Sequence, residues 1–175
     1  MLTAQLDAAI ATIRPAQNRD RAAVRRVHRA AYGRDGEADL VGQLWDRRLV
    51  PPGLSQVAER DGEVVGHVLL SEVRLGDYGV LALAPLGVLP QYRGHGIGSA
   101  LVRAALDAAR RSTYGLVLVL GDPRYYGRFG FVPAAELGVH DPFGVLPGVY
   151  QGLRLPNWGR ELTGSPIYPE PFSRL

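Results

Sequence analysis

Two short stretches of this 175-residue chain carry residue types whose spacing could do chemistry, and the first is the segment RGHGIGS at 93–99. It places glycines at alternating positions 94, 96 and 98, directly before an apolar helical pattern. Glycine costs about 0.5–1 kcal/mol relative to alanine inside regular structure, so three so close together indicate a backbone that a ligand must approach. The first amides of a helix, with its dipole, form a ready site for phosphate. The segment predicts a phosphate-binding loop, with a tight turn that holds no ligand as the alternative.

The elements around this loop form one βαβ unit. A strand predicted at 78–89 runs into the loop, and a helix at 99–111 leaves it. The continuous apolar run LVLVL at 116–120 is typical of a strand buried on both faces, and hence of a parallel neighbour. Pro85 cannot donate to a sheet ladder, so it predicts a bulge or splay within the first strand.

The rest of the chain supplies further helices and strands. The patterns predict helices at 20–31 and 36–48, a hairpin of strands 55–60 and 63–74, a short helix and turn within 121–131, and a strand at 149–155. Asp20 is the expected N-cap of the first helix, which should turn Ala23, Val27 and Ala30 to one face. We therefore expect an α/β (α+β) fold in a single domain spanning 1–175.

The composition excludes several classes of chemistry. There is no cysteine, which excludes disulfides, zinc-thiolate sites and cysteine nucleophiles. All 20 basic residues are arginine, so Schiff-base lysine chemistry and a Walker-type phosphate loop are excluded as well. The net charge of +3 suits an anionic ligand, but arginines interspersed with 17 acids are more typical of a solvated surface than of a nucleic-acid track.

The N-terminal stretch MLTAQLDAAIATIRPAQ lacks the features of a targeting segment. It carries Asp7 within its apolar part and has no basic lead, and no run in the chain approaches the roughly 18 apolar residues of a membrane span. We predict a cytoplasmic protein with no membrane partner and no nucleic-acid partner.

Two other motifs are near-misses in this chain. The dinucleotide fingerprint G-x-G-x-x-G fits Gly94 and Gly96, but its third position is Ser99, and no further βα units follow residue 131. Asp122 could stand for the acidic residue that binds the ribose, although it comes late. The segment GRFGFV at 127–132 has the glycine and arginine of the RNA-binding strand motif in the wrong order, and a proline follows it.

With these elements placed, the sequence resembles the GNAT family of acyl-CoA-dependent N-acetyltransferases. The family signature [QR]-x-x-G-x-[GA] after a bulged strand is matched by Arg93, Gly96 and Gly98. The family's aromatic-Tyr-x-x-x-Gly-Phe segment is matched by YYGRFGF at 125–131, the second stretch with chemical potential. The similarity covers roughly residues 10–135, and the Pro- and Gly-rich remainder, 136–175, is expected to complete the sheet and the acceptor side.

The resemblance implies a mixed, mostly antiparallel sheet flanked by helices and splayed where the cofactor binds. It implies transfer of an acetyl group from acetyl-CoA to a primary amine by direct attack in a ternary complex. The residues expected to bind the cofactor are Leu86, Gly87 and Val88 on the strand, and Arg93, Gly94, His95, Gly96, Ile97, Gly98 and Ser99 in the loop. The loop amides would hold the pyrophosphate, and the strand would pair with the pantetheine arm.

The resemblance also assigns roles in proton transfer. Tyr126 aligns with the family's general acid, and a tyrosine with a pKa near 10 keeps a proton that it can give to a leaving thiolate. Tyr125 is expected to pack instead. The family often has an acid in the strand after the signature helix, where this chain reads LVLVL, so Glu72, with His67 behind it, is the candidate general base. Asp122 is expected to cap the short helix that carries Tyr126.

The remaining expectations concern partners. His28, His67, His95 and His140 have no ligand spacing, so we expect no metal site. The acceptor would be a small-molecule or peptide amine, and a homodimer is allowed on family grounds. The alternative function is a non-catalytic domain that binds or senses acyl-CoA; the dinucleotide-binding oxidoreductase is a distant third.

Overall fold

The computed structural model describes residues 11–175. Residues 1–10, including Asp7 and most of the N-terminal stretch considered above, lie outside the described part of the chain. The helices are α1 (Arg21–Tyr32), α2 (Gly36–Asp46), α3 (Ile97–Arg110) and α4 (Pro123–Tyr126). The strands are β1 (Thr12–Pro15), β2 (Ser55–Arg60), β3 (Glu63–Leu75), β4 (Tyr78–Val88), β5 (Leu116–Leu120), β6 (Val132–Pro133), β7 (Tyr150–Arg154) and β8 (Pro166–Ile167).

The eight strands form one mixed, mostly antiparallel sheet, as the sequence predicts. Its order is β1-β2-β3-β4-β5-β7-β6, and β8 pairs with the far end of β3. The β4–β5 pair is the parallel one, and the other named pairs are antiparallel. Since α3 connects β4 to β5, the predicted βαβ unit is confirmed.

The bulge predicted at Pro85 is present in β4. Leu70 of β3 faces Leu83, and Val68 faces Leu86, so two residues of β4 lie opposite one residue of β3. The extra residue changes the course of β4 just before it leaves its parallel neighbour.

The sheet opens between β4 and β5. The two strands pair at Leu81 with Val117 and at Ala82 with Leu118, and the pairing goes no further. Both strands continue past these points, so their carboxyl ends diverge. The predicted splay is therefore confirmed.

Helices cover the sheet with apolar faces, and α1 shows where the sequence prediction erred. Its buried residues are Val24, Val27 and His28, whereas Ala30 is exposed. Asp20 does not cap α1 through its side chain, because its carboxylate accepts hydrogen bonds from Arg14 and from the amide of Gln17. The predicted face was rotated because a buried histidine does not count as apolar in a pattern search.

A second apolar cluster lies at the end of β3 and β4 remote from the splay. It joins these strands to β5 and to the C-terminal region through Val73, Leu75, Val80, Leu116, Leu118, Leu137 and Tyr150. Among residues 11–175, no helix has the length and apolarity to cross a membrane.

Candidate active site

A cleft of about 530 Å³ opens where β4 and β5 part. It is bounded by the end of α1, the last residues of β4, the glycine loop and the segment after β5. The lining residues are Ala31, Tyr32, Leu86, Gly87, Val88, Tyr92, Arg93, Gly94, Gly96, Ile97, Gly98, Ser99, Tyr125 and Arg128. The cleft therefore gathers all the residues expected to bind the cofactor except His95, which is exposed on the outside of the loop.

The glycine loop presents a row of backbone donors to this cleft. Gly94 and Gly96 adopt left-handed conformations, with φ of 75° and 81°, which turn the chain into α3 at Ile97. Within the described chain, none of the six amides from Gly94 to Ser99 donates a hydrogen bond; the first to do so is Ala100, to the carbonyl of Gly96. Unpaired donors at the positive end of a 14-residue helix form an anion-binding site.

The Arg93 guanidinium is hydrogen-bonded to backbone carbonyls on two walls of the cleft. Its Nη2 donates to the carbonyl of Ala31 at 2.6 Å, and its Nε donates to the carbonyl of Val88 at 3.3 Å. The guanidinium thus joins the end of α1 to the end of β4, and it shapes the cleft by holding two of its walls together.

The last residues of β4 turn alternate backbone groups toward the cleft. The carbonyls of Leu86 and Val88 accept hydrogen bonds from Tyr32 and Arg93, so they point away from β3. The carbonyl oxygen of Gly87 points to β3, since it lies 3.3 Å from the place of a Cβ on Gly66. Because backbone direction alternates along a strand, Leu86 and Val88 can pair with a ligand, whereas Gly87 cannot.

The aromatic segment after β5 approaches the cleft through Tyr125. The Tyr125 hydroxyl lies 3.2 Å from where a Cβ on Gly98 would stand, and the guanidinium of Arg128 lies 4.2 Å from the Tyr125 ring centroid. Tyr125 packs against Phe129 as the sequence predicts, with ring centroids 5.5 Å apart, and it also lines the cleft.

Tyr126 stands behind the lining residues. Its ring packs against Gly121, Tyr125 and Phe131, and its hydroxyl has no hydrogen-bond partner among residues 11–175. Burial, with smaller contributions from Tyr125 and Tyr32, raises its pKa above the usual value of 10. Asp122 caps α4 as predicted, because its carboxylate accepts the Arg124 amide at 2.8 Å.

The structure does not bring Glu72 to the cleft. Glu72 faces Leu81 in the β3–β4 ladder, five residues from Leu86, which is about 16 Å along a strand. Its carboxylate accepts a hydrogen bond from the Tyr114 hydroxyl, at the opposite end of the sheet opening. His67 is fully buried.

Sequence reasoning missed Tyr32 and Arg128. Tyr32 reaches the site because α1 ends beside β4, where its hydroxyl donates to the carbonyl of Leu86 at 2.7 Å. Arg128 lies within a segment that had been singled out for its tyrosines. Its position three residues after Tyr125 on a helical turn was the available signal, since residues at that spacing share a face.

The charge of the cleft is positive. Arg93 and Arg128 are its charged lining residues, and no carboxylate lines it. No group of three or more His, Cys, Asp or Glu residues that could hold a metal ion occurs in the described chain. The arrangement can bind an anionic ligand on backbone amides and continue it as an added strand along β4.

Comparisons with known proteins agree with this geometry. The model of the Acetyltransferase (GNAT) family matches residues 21–131. The uncharacterized N-acetyltransferase YjhQ of Escherichia coli is 38% identical over 120 residues, which is 66% of this chain and 66% of YjhQ.

Two solved structures are similar over almost the whole chain. The GNAT family N-acetyltransferase YhbS of Escherichia coli, crystallised in complex with CoA, has a TM-score of 0.85 at 32% identity, covering 94% of this chain and 93% of YhbS. A GNAT family acetyltransferase of Brucella melitensis, in complex with acetyl-CoA, has a TM-score of 0.75 at 30% identity, covering 93% and 97%. On the family match, the shared fold and the cleft at the splay, this chain belongs to the GNAT family of acetyltransferases.

Proposed function

We propose that the protein transfers an acetyl group from acetyl-CoA to a primary amine by direct attack in a ternary complex. The observation that carries the proposal is the row of six backbone amides, Gly94 to Ser99, that donate no hydrogen bond within residues 11–175. They border a cleft that no carboxylate lines. The complexes of the two similar acetyltransferases with CoA and acetyl-CoA support the same donor.

The pyrophosphate of acetyl-CoA would lie on the glycine loop. Six amides and the dipole of α3 favour its negative charge, and the missing side chains at 94, 96 and 98 leave the backbone accessible. Arg128, which forms no ion pair within residues 11–175, adds a cation at the same wall. His95 and Ile97 contribute their backbone amides, since the side chain of Ile97 is in the core.

The pantetheine arm would extend the sheet beside β4. Leu86 and Val88 offer it their outward-facing backbone amides, while Tyr32 and Arg93 hold the carbonyls of the same two residues. The arm then leads to the thioester beside the opening between β4 and β5. A backbone amide of this strand would donate to the thioester oxygen as negative charge develops there.

The transfer forms a C–N bond and breaks a C–S bond. A neutral amine attacks the thioester carbon, the CoA sulfur leaves with the electron pair of the C–S bond, and the nitrogen passes one proton to solvent water. We assign Tyr126 as the general acid that protonates the sulfur, because it aligns with the family's general acid and its phenol, which has no hydrogen-bond partner among residues 11–175, holds a proton at neutral pH. Glu72 is withdrawn as the base because of its distance from the cleft.

A non-catalytic domain that binds acyl-CoA is the second candidate. The absence of a carboxylate in the cleft favours it, since no acidic side chain is present there to take a proton from the amine. The two functions share the donor site and differ in turnover.

Calorimetric titration with acetyl-CoA, and separately with NAD, tests the donor site. The protein is expected to bind acetyl-CoA and not NAD, and binding of NAD alone would refute the proposal.

A screen of primary amines for release of the CoA thiol then tests turnover. Tyr126→Phe should lower kcat by roughly 10²–10⁴-fold while acetyl-CoA still binds. Tyr125→Phe is the matched control and should lower affinity more than kcat. Binding without release of thiol from any amine would favour the second candidate.

A further inference from the structure

A buried polar chain lies beneath the cleft and has no part in the reaction described above. Ser55 Oγ lies 2.8 Å from His67 Nε2, and His67 Nδ1 lies 2.7 Å from His28 Nε2. Both imidazoles are fully buried, with the ring of Trp45 edge-on to His67 at 5.5 Å. Burying two imidazoles in an apolar core lowers the stability of the fold unless hydrogen bonds satisfy their ring nitrogens.

The hydrogen-bonded series Ser55–His67–His28 ends at a ring nitrogen that has no partner among residues 11–175. Nδ1 of His28 is buried and has no hydrogen-bond partner among residues 11–175. The chain therefore has a preferred polarity: His28 Nε2–H donates to His67, and His67 Nε2–H donates to Ser55. This leaves a lone pair on His28 Nδ1, whereas the reverse polarity would bury an unpaired N–H, which proteins tolerate less well.

The unpartnered nitrogen faces the strand that forms the cleft. A Cβ on Gly87 would stand 2.8 Å from His28 Nδ1 and 3.1 Å from its Cε1. The imidazole therefore occupies the space that any other residue at position 87 would need. Only glycine lets β4 lie this close to α1.

Contacts on either side hold the neighbouring residues of β4. Tyr32, whose ring stacks on His28 at 6.1 Å, donates to the carbonyl of Leu86. Arg93 joins the carbonyl of Val88 to α1. The end of α1 thus fixes three consecutive residues of the cleft strand, and the imidazole lies under the middle one.

We propose that His28 and His67, with Ser55, are positioning residues for the acyl donor: they hold Gly87 at a fixed height so that Leu86 and Val88 present their outward backbone groups to it. The inference rests on the proposed function, because it requires the donor to pair with β4. The histidines touch neither donor nor acceptor and act through Gly87. Their hydrogen-bonded chain fixes the ring of His28 in one orientation, which an aliphatic side chain would not do.

The pair must be neutral to hold this position. Burial lowers the pKa of both imidazoles, for His28 to about 4. The titratable groups around His28 are His67 on β3, the hydroxyl of Tyr32 on α1 and the carboxylate of Glu37 on α2, which is paired with Arg34. A proton on either ring would break the polarity of the chain and place a cation under Gly87. Affinity for the donor should therefore fall in acid as the pair takes up a proton.

Calorimetry with acetyl-CoA tests the proposal in His28→Gln, His67→Gln and the control His140→Gln, which changes an exposed histidine of the C-terminal region. At pH 7.5 the first two should bind acetyl-CoA roughly tenfold more weakly than the wild type, and the control should bind as the wild type does. Between pH 6 and 4, the range over which His28 takes up its proton, the control should share the wild-type loss of affinity. The two variants should lose less, because they lack the titrating pair. Ser55→Ala, the mildest change, should weaken binding in the same direction if the other two variants fail to fold.

Spectra of ¹⁵N-labelled histidine supply a readout that a purely structural role would not change. His28 should carry its proton on Nε2, and its Nδ1 resonance should shift when acetyl-CoA binds, while His140 should not respond. Folded variants with wild-type affinity, or a His28 resonance that ignores bound acetyl-CoA, would overturn the inference. A wild-type protein that does not bind acetyl-CoA would instead overturn the proposed function.

Discussion

The two ends of the β3–β4 pair have opposite properties, although the same two strands form both. At the far end, Glu72 and Tyr114 are hydrogen-bonded to each other, and β8 covers the edge of β3. At the splayed end, β4 leaves its parallel neighbour, and the loop that follows has six amides without a partner. A reactive residue type is therefore not sufficient to make a site. The carboxylate of Glu72 is engaged and remote, whereas plain backbone groups form the candidate binding surface.

The largest expected effect concerns the buried histidine at the splayed end. Burial lowers the pKa of His28 from 6.5 to about 4, so over this range the unfolded chain binds a proton that the folded chain does not. The free energy of unfolding is therefore at its full value above pH 6.5 and falls by about 3 kcal/mol as the pH is lowered from 6.5 to 4. Urea unfolding at a series of pH values should show this loss in the wild type and a smaller one in His28→Gln.

Glu72→Gln is the matched variant at the far end for the same measurement. It should keep the wild-type loss of stability in acid. If His28→Gln and the wild type lost the same stability between pH 6.5 and 4, His28 would not be held neutral by burial, and the contrast between the two ends would fail in this respect.

The second effect concerns the glycine loop. Gly96→Ala should weaken acetyl-CoA binding by roughly a hundredfold, because a side chain at φ 81° forces the loop to move away from the geometry that the pyrophosphate needs. Gly144→Ala has similar backbone strain, at φ 67°, in an exposed part of the C-terminal region. Calorimetry should find normal affinity in this control, and equal losses in the two variants would attribute the effect to stability alone.

A smaller effect is expected at Arg128. Arg128→Gln removes a cation from the wall of the cleft and should weaken acetyl-CoA binding about tenfold at low salt, with a smaller difference at high salt. Arg174→Gln is the control, since Arg174 is paired with Glu170 at the C-terminus. Calorimetry at two salt concentrations measures both variants. A salt-independent loss in Arg128→Gln would indicate packing on Tyr125 rather than charge.

The smallest effect on binding and turnover is expected from Glu72→Gln itself. Since Glu72 lies far from the cleft, acetyl-CoA affinity and any amine turnover should stay within about twofold of the wild type. The substitution should be visible at Tyr114. Burial and the Glu72 carboxylate both raise the pKa of Tyr114, and removing the carboxylate should lower that pKa. Spectrophotometric titration of the tyrosines measures it, and a large loss of turnover would restore Glu72 as the base.

The sequence predicted the parts of this molecule that depend on local pattern. The glycine spacing, Pro85 and the run LVLVL are local signals, and they placed the loop, the bulge and the parallel strand correctly. Contacts between distant elements were not predictable in this way. The contact of Tyr32 with Leu86 spans 54 residues, and that of His28 with His67 spans 39. The prediction that Glu72 is the general base failed for the same reason, because the register of β3 against β4 decides how far Glu72 lies from the cleft.

The amide spectrum of the ¹⁵N-labelled protein, recorded while acetyl-CoA is added, tests the anion-binding loop most directly. The resonances of Gly94 to Ser99 should shift together as their N–H groups begin to donate to phosphate oxygens, and they should become protected from hydrogen exchange. Amides at the far end of β3 and β4 should remain unchanged. Binding of acetyl-CoA with no response from these six amides would contradict the central claim that the glycine loop is the phosphate site.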